Sequence, residues 1–253
     1  MKVSTKHALS FALILFVLPL TSAAAIWDVI CKNGGWQLYD FATQGQCVSL
    51  VKSGNVKVWG LFRDFLFYPN QQNPSPDQYG NADVWHYRYS VSLDHNPAGY
   101  VHYTDYIIEW DGARESWTAN PASEYNTPLL GARPYQGVGV LHPDDTSLSL
   151  ASWRSPVNGV IAVSGYFDDI HADCGEGVDW AVERETLGGP LVIAQGTVKG
   201  PPGELNDRFE FNFTLPVAVD DYLDFIIDPG LDGNSACDTT WADITIVGPI
   251  PTN

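Results

Sequence analysis

Two acidic loops contain the residues of this sequence that are best suited to chemistry. One loop follows an alternating segment, Ile161–Phe167, and ends where an apolar segment begins at Val178. The other follows the apolar run that ends at Ile227. Each loop has one cysteine, Cys174 or Cys237. Together the two loops hold seven carboxylates: Asp168, Asp169, Asp173, Glu176, Asp228, Asp232 and Asp238.

A disulfide between Cys174 and Cys237 would place these loops side by side, because bonded cysteines have Cα atoms about 5.5–6 Å apart. Four cysteines allow three pairings, and we favour this pair together with Cys31–Cys47, since each joins segments expected to be neighbours. Calcium takes about six to eight oxygen ligands. The seven carboxylates therefore predict a structural Ca²⁺ site, with solvated, splayed acids as the alternative. Their spacing does not match an EF-hand loop.

The same acids raise the question of glycoside hydrolysis. That reaction needs two carboxylates, about 5–5.5 Å apart for retention or about 6.5–9.5 Å apart for inversion. Asp168 or Asp169 could form such a pair with Asp228 or Asp232, but any acid-rich chain offers similar pairs. The G-x-S-x-G, H-E-x-x-H and P-loop motifs are missing from the sequence. We expect a non-catalytic protein, with a glycan-cleaving enzyme as one alternative and a structural surface or matrix protein as another.

Aromatic residues suggest a second kind of site, because the apolar face of a sugar ring packs on an aromatic ring. Trp117 and Tyr125 lie in polar surroundings typical of a loop, and we expect them to be exposed. Trp110 and Trp85 are further candidates, although a ring on an alternating strand such as that of Trp85 more often packs in a core. These four residues are the predicted glycan-binding residues.

The elements that must position these residues are mostly strands. Val84–Leu93 alternates well, and Phe209–Leu215 alternates with its three phenylalanines and its leucine expected to face inward. Glu115–Arg133 is predicted to be a long ordered loop. No amphipathic helix of about 11 residues or more is evident. The sequence predicts an all-β protein, a two-sheet antiparallel sandwich of the jelly-roll type. The other predicted strands are Val58–Tyr68, Tyr100–Trp110, Tyr135–His142, Leu148–Arg154, Ile161–Phe167, Gly177–Arg184, Pro190–Lys199, Tyr222–Ile227 and Trp241–Val247.

Composition indicates a secreted protein. Residues 1–25 have two lysines, an apolar run and a small-residue end, as a cleaved signal does. We expect a disulfide-closed segment at 26–57, a sandwich domain at 58–248 and a tail at 249–253. Removing residues 1–25 changes the net charge from −17 to −19, since that segment has two lysines and no acid. Such acidity argues against nucleic acid and anionic membranes as partners, and no second run could span a membrane.

Several short motifs give a family resemblance over about residues 58–247. The chain resembles a jelly-roll module of unknown function found in secreted bacterial proteins, and it is similar to lectin-like carbohydrate-binding modules. The resemblance implies a two-sheet sandwich, an extracellular location and a polysaccharide or glycan as partner. It implies no catalytic residues, and the Cys174 and Cys237 insertions depart from its pattern. The motifs are Leu141–Pro143, Ala151–Gly159, Val163–Phe167, Gly175–Val178, Asp221–Phe225 and Asp238–Thr240.

Overall fold

The computed structural model describes residues 30–251 apart from residues 33, 40, 68–71, 109–114, 122–127, 134–137, 171–173, 175–176, 200–206 and 231–232. The predicted signal at residues 1–25 therefore lies outside the described residues. Within the described ranges, no helix is both long and apolar enough to cross a membrane.

The described chain is built mainly from antiparallel strands, which confirms the all-β prediction. The strands are β1 Lys57–Gly60, β2 Trp85–Ser90, β3 Tyr100–His102, β4 Asp105–Ile108, β5 Glu115–Thr118, β6 Leu129–Arg133, β7 Val138–His142, β8 Ser149–Arg154, β9 Gly159–Asp169, β10 Val178–Arg184, β11 Leu191–Val198, β12 Asp207–Val217, β13 Tyr222–Asp228 and β14 Thr240–Ile250. The helices are α1 Gly35–Leu38, α2 Gln44–Lys52 and α3 Leu61–Phe67.

These strands form two sheets. The eight-stranded sheet has the order β12-β9-β14-β7-β6-β5-β4, and β1 also pairs with β14. The six-stranded sheet has the order β11-β10-β13-β8-β2-β3. Because side chains alternate along each strand, one face of each sheet contributes to a shared apolar core. Trp153 and Phe225 from the six-stranded sheet meet Phe167 and Ile244 from the eight-stranded sheet there, all fully buried.

The segment after β1 corrects one prediction. We predict a strand over Val58–Tyr68, but β1 ends at Gly60 and α3 follows it. Leu61 and Phe65 are four residues apart, a spacing that places both on one helix face, and both are buried. The Asp64 carboxylate accepts a hydrogen bond from the Gly60 backbone N–H at 3.1 Å. Helical spacing and this local bond account for the helix.

Residues 115–133 correct a second prediction. Part of this expected loop is sheet, because β5 and β6 pair with each other between β4 and β7. In the strand β5, Trp117 points into the core, and only 6 % of the residue is exposed. Its ring lies 5.1 Å from the Tyr106 ring. Phe209 faces inward as predicted, with its ring 4.6 Å from that of Trp180, but it is 43 % exposed because it lies near the start of the edge strand β12.

The N-terminal residues 30–56 form a small unit on the outer face of the eight-stranded sheet. The predicted disulfide Cys31–Cys47 is present, with Cα atoms 5.7 Å apart. Tyr39 and Phe41 pack in one apolar cluster with Ala162 of β9 and Val247 of β14. The unit is therefore attached to the sheet by buried apolar side chains and by the chain itself.

Candidate functional site

Two of the four predicted glycan-binding residues cannot stack on a sugar. Trp85 is fully buried, and its Nε1 donates a hydrogen bond to Asp64 at 3.0 Å. Trp117 is buried as well, so the prediction that its ring is exposed is wrong. The physical reason is that each ring lies on the inward-facing side of a strand. Tyr125 and Trp110 lie outside the described residues.

The two acidic loops meet, as predicted. Cys174 and Cys237 are bonded, with Cα atoms 5.8 Å apart, and the Ile170 N–H donates to the Thr239 carbonyl at 3.2 Å. Thr240 pairs directly with Asp169. Asp169 and Thr240, which lie next to the two loops, are thus held in regular β pairing.

The predicted calcium ligands divide into three sets. Asp168, Asp169 and Asp238 are buried, and Asp228 is half-buried at the end of β13 in the other sheet. Among the residues that the structure describes, no three His, Cys, Asp or Glu side chains form a group that could hold a metal ion. A calcium site stays a prediction. The remaining predicted ligands, Asp173, Glu176 and Asp232, lie outside the described residues.

The outer face of the eight-stranded sheet presents a groove of about 450 Å³ along β9. Strand β9 lies between β12 and β14, so residues in register on these three strands form rows across the sheet. Tyr166 has Glu210 beside it on β12 and Asp243 on β14. We call this surface the β9 groove. Its outward side chains are Ser164, Tyr166, Glu210, Asn212, Asp243 and Thr245.

The N-terminal unit forms one end of the β9 groove. Leu38 of α1 lines the groove, and its carbonyl accepts a hydrogen bond from Asn212 Nδ2 at 3.2 Å. The hydroxyls of Tyr39 and Ser164 lie 3.2 Å apart. The disulfide-closed unit therefore contributes a wall to a surface whose floor is made by the sheet.

Charge in the β9 groove is mostly negative. The Arg208 guanidinium stacks over the Tyr166 ring, 3.6 Å from its centroid, and lies 3.6 Å from Asp168 Oδ2. Burial raises the pKa of Asp243 and that of Tyr166. Arg208 therefore covers one face of the only aromatic ring among the side chains that define this groove.

The outer face of the six-stranded sheet is different, because its central charges are buried. Arg88 on β2 donates hydrogen bonds to Asp224 at 2.5 Å, to Glu185 at 2.7 Å and to Ser152 at 2.6 Å. We call these four residues the Arg88 cluster. Asp224 is fully buried, and desolvation raises its pKa to about 7 despite the neighbouring guanidinium.

The segment between β2 and β3 covers this face. Leu93 of this segment and Tyr100 at the start of β3 pack on an apolar cluster that includes Leu150 and Ala181. His95 Nδ1 lies 2.7 Å from Glu183 Oε1. Hydrogen bonds to Asp228 and Glu183 raise the pKa of His95 to about 9, so a charged imidazolium connects this segment to the sheet.

The Arg88 cluster neighbours a carboxylate pair, because Glu183 lies directly opposite Asp224 in the β10–β13 pairing. Both side chains are buried, with residue exposures of 2 % and 0 %. A polysaccharide could not reach either carboxylate without displacing the segment between β2 and β3. This pair therefore does not support hydrolysis at this face.

Comparisons with known proteins show a general likeness only. No family model matches the chain, and no curated protein matches it. Among solved structures, it is similar to Eiger TNF from S. frugiperda with 14 % identity and a TM-score of 0.30, over 67 % of this chain and 96 % of that one. A CBM29-2 carbohydrate-binding module mutant has 10 % identity and a TM-score of 0.30, over 57 % and 87 %. Murine APRIL has 8 % identity and a TM-score of 0.27, over 63 % and 98 %. Such scores carry no argument about function.

Sequence reasoning missed the residues of the β9 groove as a site. The alternation of Phe209–Leu215 predicts that Glu210 and Asn212 face outward, and both are exposed. Nothing local indicates that β9 lies between β12 and β14, since these three strands are far apart in the chain. Their juxtaposition is a property of the fold.

Proposed function

We propose that this protein binds an extracellular polysaccharide without cleaving it, and that the β9 groove is the binding surface. The observation that carries the proposal is the row formed by Glu210, Tyr166 and Asp243 across three neighbouring strands. It places an aromatic ring between two carboxylates in an open groove on a rigid sheet. Convergent polar groups around an apolar surface are what ligand sites have in common.

The chemistry of the groove suits a sugar chain. The ring of Tyr166 offers an apolar face to the C–H groups of a pyranose, provided that Arg208 swings aside. The Arg208 side chain is 41 % exposed, whereas that of Asp168 is 3 % exposed, so this movement would separate Arg208 from a buried carboxylate. The carboxylates of Glu210 and Asp243 and the amide of Asn212 would accept or donate hydrogen bonds to sugar hydroxyls.

Glu210 and Asp243 lie two strands apart, and neighbouring strands are about 4.7–4.9 Å apart, so their Cα atoms are about 9–10 Å apart. Retaining and inverting glycosidases are distinguished by the distance between carboxyl groups rather than between Cα atoms, so a turnover assay tests the non-catalytic part of the proposal. Turnover of any polysaccharide that depends on Glu210 and Asp243 would contradict the non-catalytic proposal.

The proposal is tested by binding a panel of soluble polysaccharides to the purified chain, using affinity electrophoresis and then calorimetry. Tyr166→Ala should weaken binding about tenfold or more, because aromatic contacts dominate such sites. Thr214→Ala is the matched control, since Thr214 is exposed on β12 beyond the groove. Equal loss in both variants, or no saturable binding of any polysaccharide, would reject the groove. Self-association without binding would instead favour a structural matrix protein.

A structural calcium ion at the two acidic loops, which the Cys174–Cys237 disulfide joins, is a separate part of this proposal. Its support is that the loops meet and that Asp169 and Asp238 are both buried beside their junction. Thermal unfolding with CaCl₂ and with EDTA is the test. A ligand that binds only the folded state stabilises it by about 2.7 kcal/mol at a hundredfold excess over its dissociation constant. No shift in Tm at millimolar calcium would remove the metal from the proposal.

A further inference from the structure

Strand β11 lies at one end of the six-stranded sheet. Among the described residues, its only pairing partner is β10. The eight residues of β11, Leu191–Val198, include no charged side chain and no proline. An edge strand presents a row of backbone N–H and C=O groups that can pair with a further strand. The β11 edge can therefore extend the sheet.

The other strands at the ends of the two sheets carry features that discourage such pairing. The strands β1, β3 and β4 are only four, three and four residues long. The strand β12 is longer, but it contains Arg208, Glu210 and Pro216. Short strands, charged side chains and proline are the means by which natural proteins protect sheet edges. The strand β11 has a single protective feature, a bulge at Ile193, and it pairs regularly with β10 from Ala194 to Val198.

Apolar side chains are exposed along the same edge. Leu191 and Val192 of β11 are 53 % and 45 % exposed, and Leu187 in the turn before β11 is fully exposed. The strand β11 is in contact with β12, the edge strand of the other sheet. Phe209 of β12 is 43 % exposed there, and its ring lies 4.6 Å from that of Trp180 on β10. The exposed apolar surface thus continues from β11 across the side of the sandwich.

A second copy of this chain fits the β11 edge. The chain has a net charge of −17, so two copies repel each other, and a contact between them requires a surface without acidic side chains. The strand β11 meets that requirement. A strand that pairs antiparallel with its own copy is related to it by a two-fold axis, and two-fold dimers are the commonest closed oligomers. We propose that the protein forms a dimer in which the β11 strands of the two copies pair antiparallel.

The symmetry of this dimer has a consequence for the β9 groove. The two-fold axis of an antiparallel pair is perpendicular to the sheet, because rotation about it reverses the strand direction and keeps each side chain on its own face. Both β9 grooves would therefore face the same side of the dimer. If that groove binds polysaccharide as proposed above, one long polysaccharide could occupy both grooves with increased avidity. The dimer itself does not depend on that function.

Light scattering after size-exclusion chromatography of the full chain, over a range of loading concentrations, tests the dimer. We expect the mass to rise with concentration toward twice that of one chain. Val192→Lys should weaken the dimer about tenfold or more, because lysine on an edge strand opposes pairing. Val101→Lys is the matched control, since Val101 is 42 % exposed on β3 at the other edge of the same sheet. The mass of one chain at every concentration would overturn the proposal.

A cysteine variant locates the contact. Gln195 is exposed and lies one residue from the middle of the regular segment Ala194–Val198, and the four native cysteines are already bonded. A short bismaleimide should join two copies of Gln195→Cys and should not join two copies of Val101→Cys. Failure to join Gln195→Cys, or equal weakening by both lysine variants, would reject the two-fold pairing of β11. Polysaccharide binding by a chain that stays monomeric would reject the dimer alone and leave the β9 groove as the binding surface.

Discussion

On the outer face of the eight-stranded sheet, Glu210 and Asp243 face an open groove, whereas on the six-stranded sheet Asp224 and Glu183 lie beneath the segment between β2 and β3. Both faces carry acidic side chains in register across neighbouring strands. The difference is what covers them. A carboxylate that stays in contact with water can exchange that water for a ligand, while a buried one must be paired within the protein.

The difference between the two outer faces predicts which residues affect ligand binding and which affect stability. The hydrogen bonds of the Arg88 cluster join its own members. We therefore expect changes in this cluster to alter mainly the free energy of unfolding. The β9 groove leaves Glu210 and Asn212 exposed, so we expect changes there to affect ligand affinity far more than unfolding. One arginine on each face allows the contrast to be tested directly.

The largest effect should come from Arg88→Met. The substitution leaves Asp224 buried without its ion-pair partner, which costs about 3–5 kcal/mol for a buried pair. Arg208→Met is the comparison on the other face, and should cost less than Arg88→Met, because Arg208 is 41 % exposed and lies 3.6 Å from the Asp168 carboxylate, beyond the usual hydrogen-bond distance. Urea unfolding measures both. Similar losses in the two variants would show that the two faces do not differ in the way we describe.

The two disulfides should differ in how much they stabilise the fold and in whether their removal weakens polysaccharide binding. Chain entropy gives about 4 kcal/mol for Cys174–Cys237 and about 3 kcal/mol for Cys31–Cys47, since their sequence separations are 63 and 16 residues. Replacing Cys31 and Cys47 together by serine should also weaken polysaccharide binding, because that bridge closes the unit that forms the groove wall.

The control for this pair is the double serine variant of Cys174 and Cys237. It should unfold more easily yet keep its polysaccharide affinity when measured well below its Tm, because that bridge lies at the acidic loops and contributes no lining residue to the β9 groove. Loss of affinity in this variant alone would place the binding surface at the two acidic loops that Cys174–Cys237 joins.

The architecture was predictable from local patterns, whereas the candidate sites depend on strand order. Alternation in Val84–Leu93 and Phe209–Leu215 predicts strands that the structure confirms as β2 and β12. Alternation also puts Trp85 on the face with Tyr87, which is the core face. It cannot say which strand lies beside which, so the row across β12, β9 and β14 stayed hidden.

The errors have a common physical origin. Trp117 lies in a four-residue strand, β5, too short for alternation to be seen amid polar neighbours. The helix α3 was missed because its seven residues include apolar spacings compatible with a strand. The meeting of Cys174 and Cys237 was predictable, since a disulfide is a long-range contact that residue type itself suggests.

Two histidines of the six-stranded face should contribute to the pH dependence of stability, in addition to the buried Asp224, whose raised pKa of about 7 lowers stability as the pH rises from about 4 to 7. Hydrogen bonds to Asp228 and Glu183 raise the pKa of His95 to about 9, so its contribution is complete below about pH 6.5 and is lost as the pH rises to about 9. Burial lowers the pKa of His86 to about 3, so its contribution is present above about pH 6.5 and is lost as the pH falls.

Urea unfolding of the parent, His95→Gln and His86→Gln across about pH 4–9 checks both limbs of the pH profile. His95→Gln should flatten the alkaline limb, and His86→Gln should flatten the acidic limb. A parent-like slope in either variant would assign that limb to other groups. Polysaccharide binding, by contrast, should not follow either histidine, because neither lines the β9 groove.

The smallest effect should come from Tyr39→Phe, which removes the hydroxyl that bonds to Ser164 at the end of the groove. A single neutral hydrogen bond contributes about 1 kcal/mol to stability. Packing of the N-terminal unit, including Tyr39, on Val247 should hold the groove wall without it. Tyr222→Phe is the matched control on the other face, since its hydroxyl lies 3.5 Å from His86 Nε2 and should contribute less. A loss above about 3 kcal/mol in Tyr39→Phe, beyond what one bond contributes, would mean that this bond, rather than apolar packing, holds the wall in place.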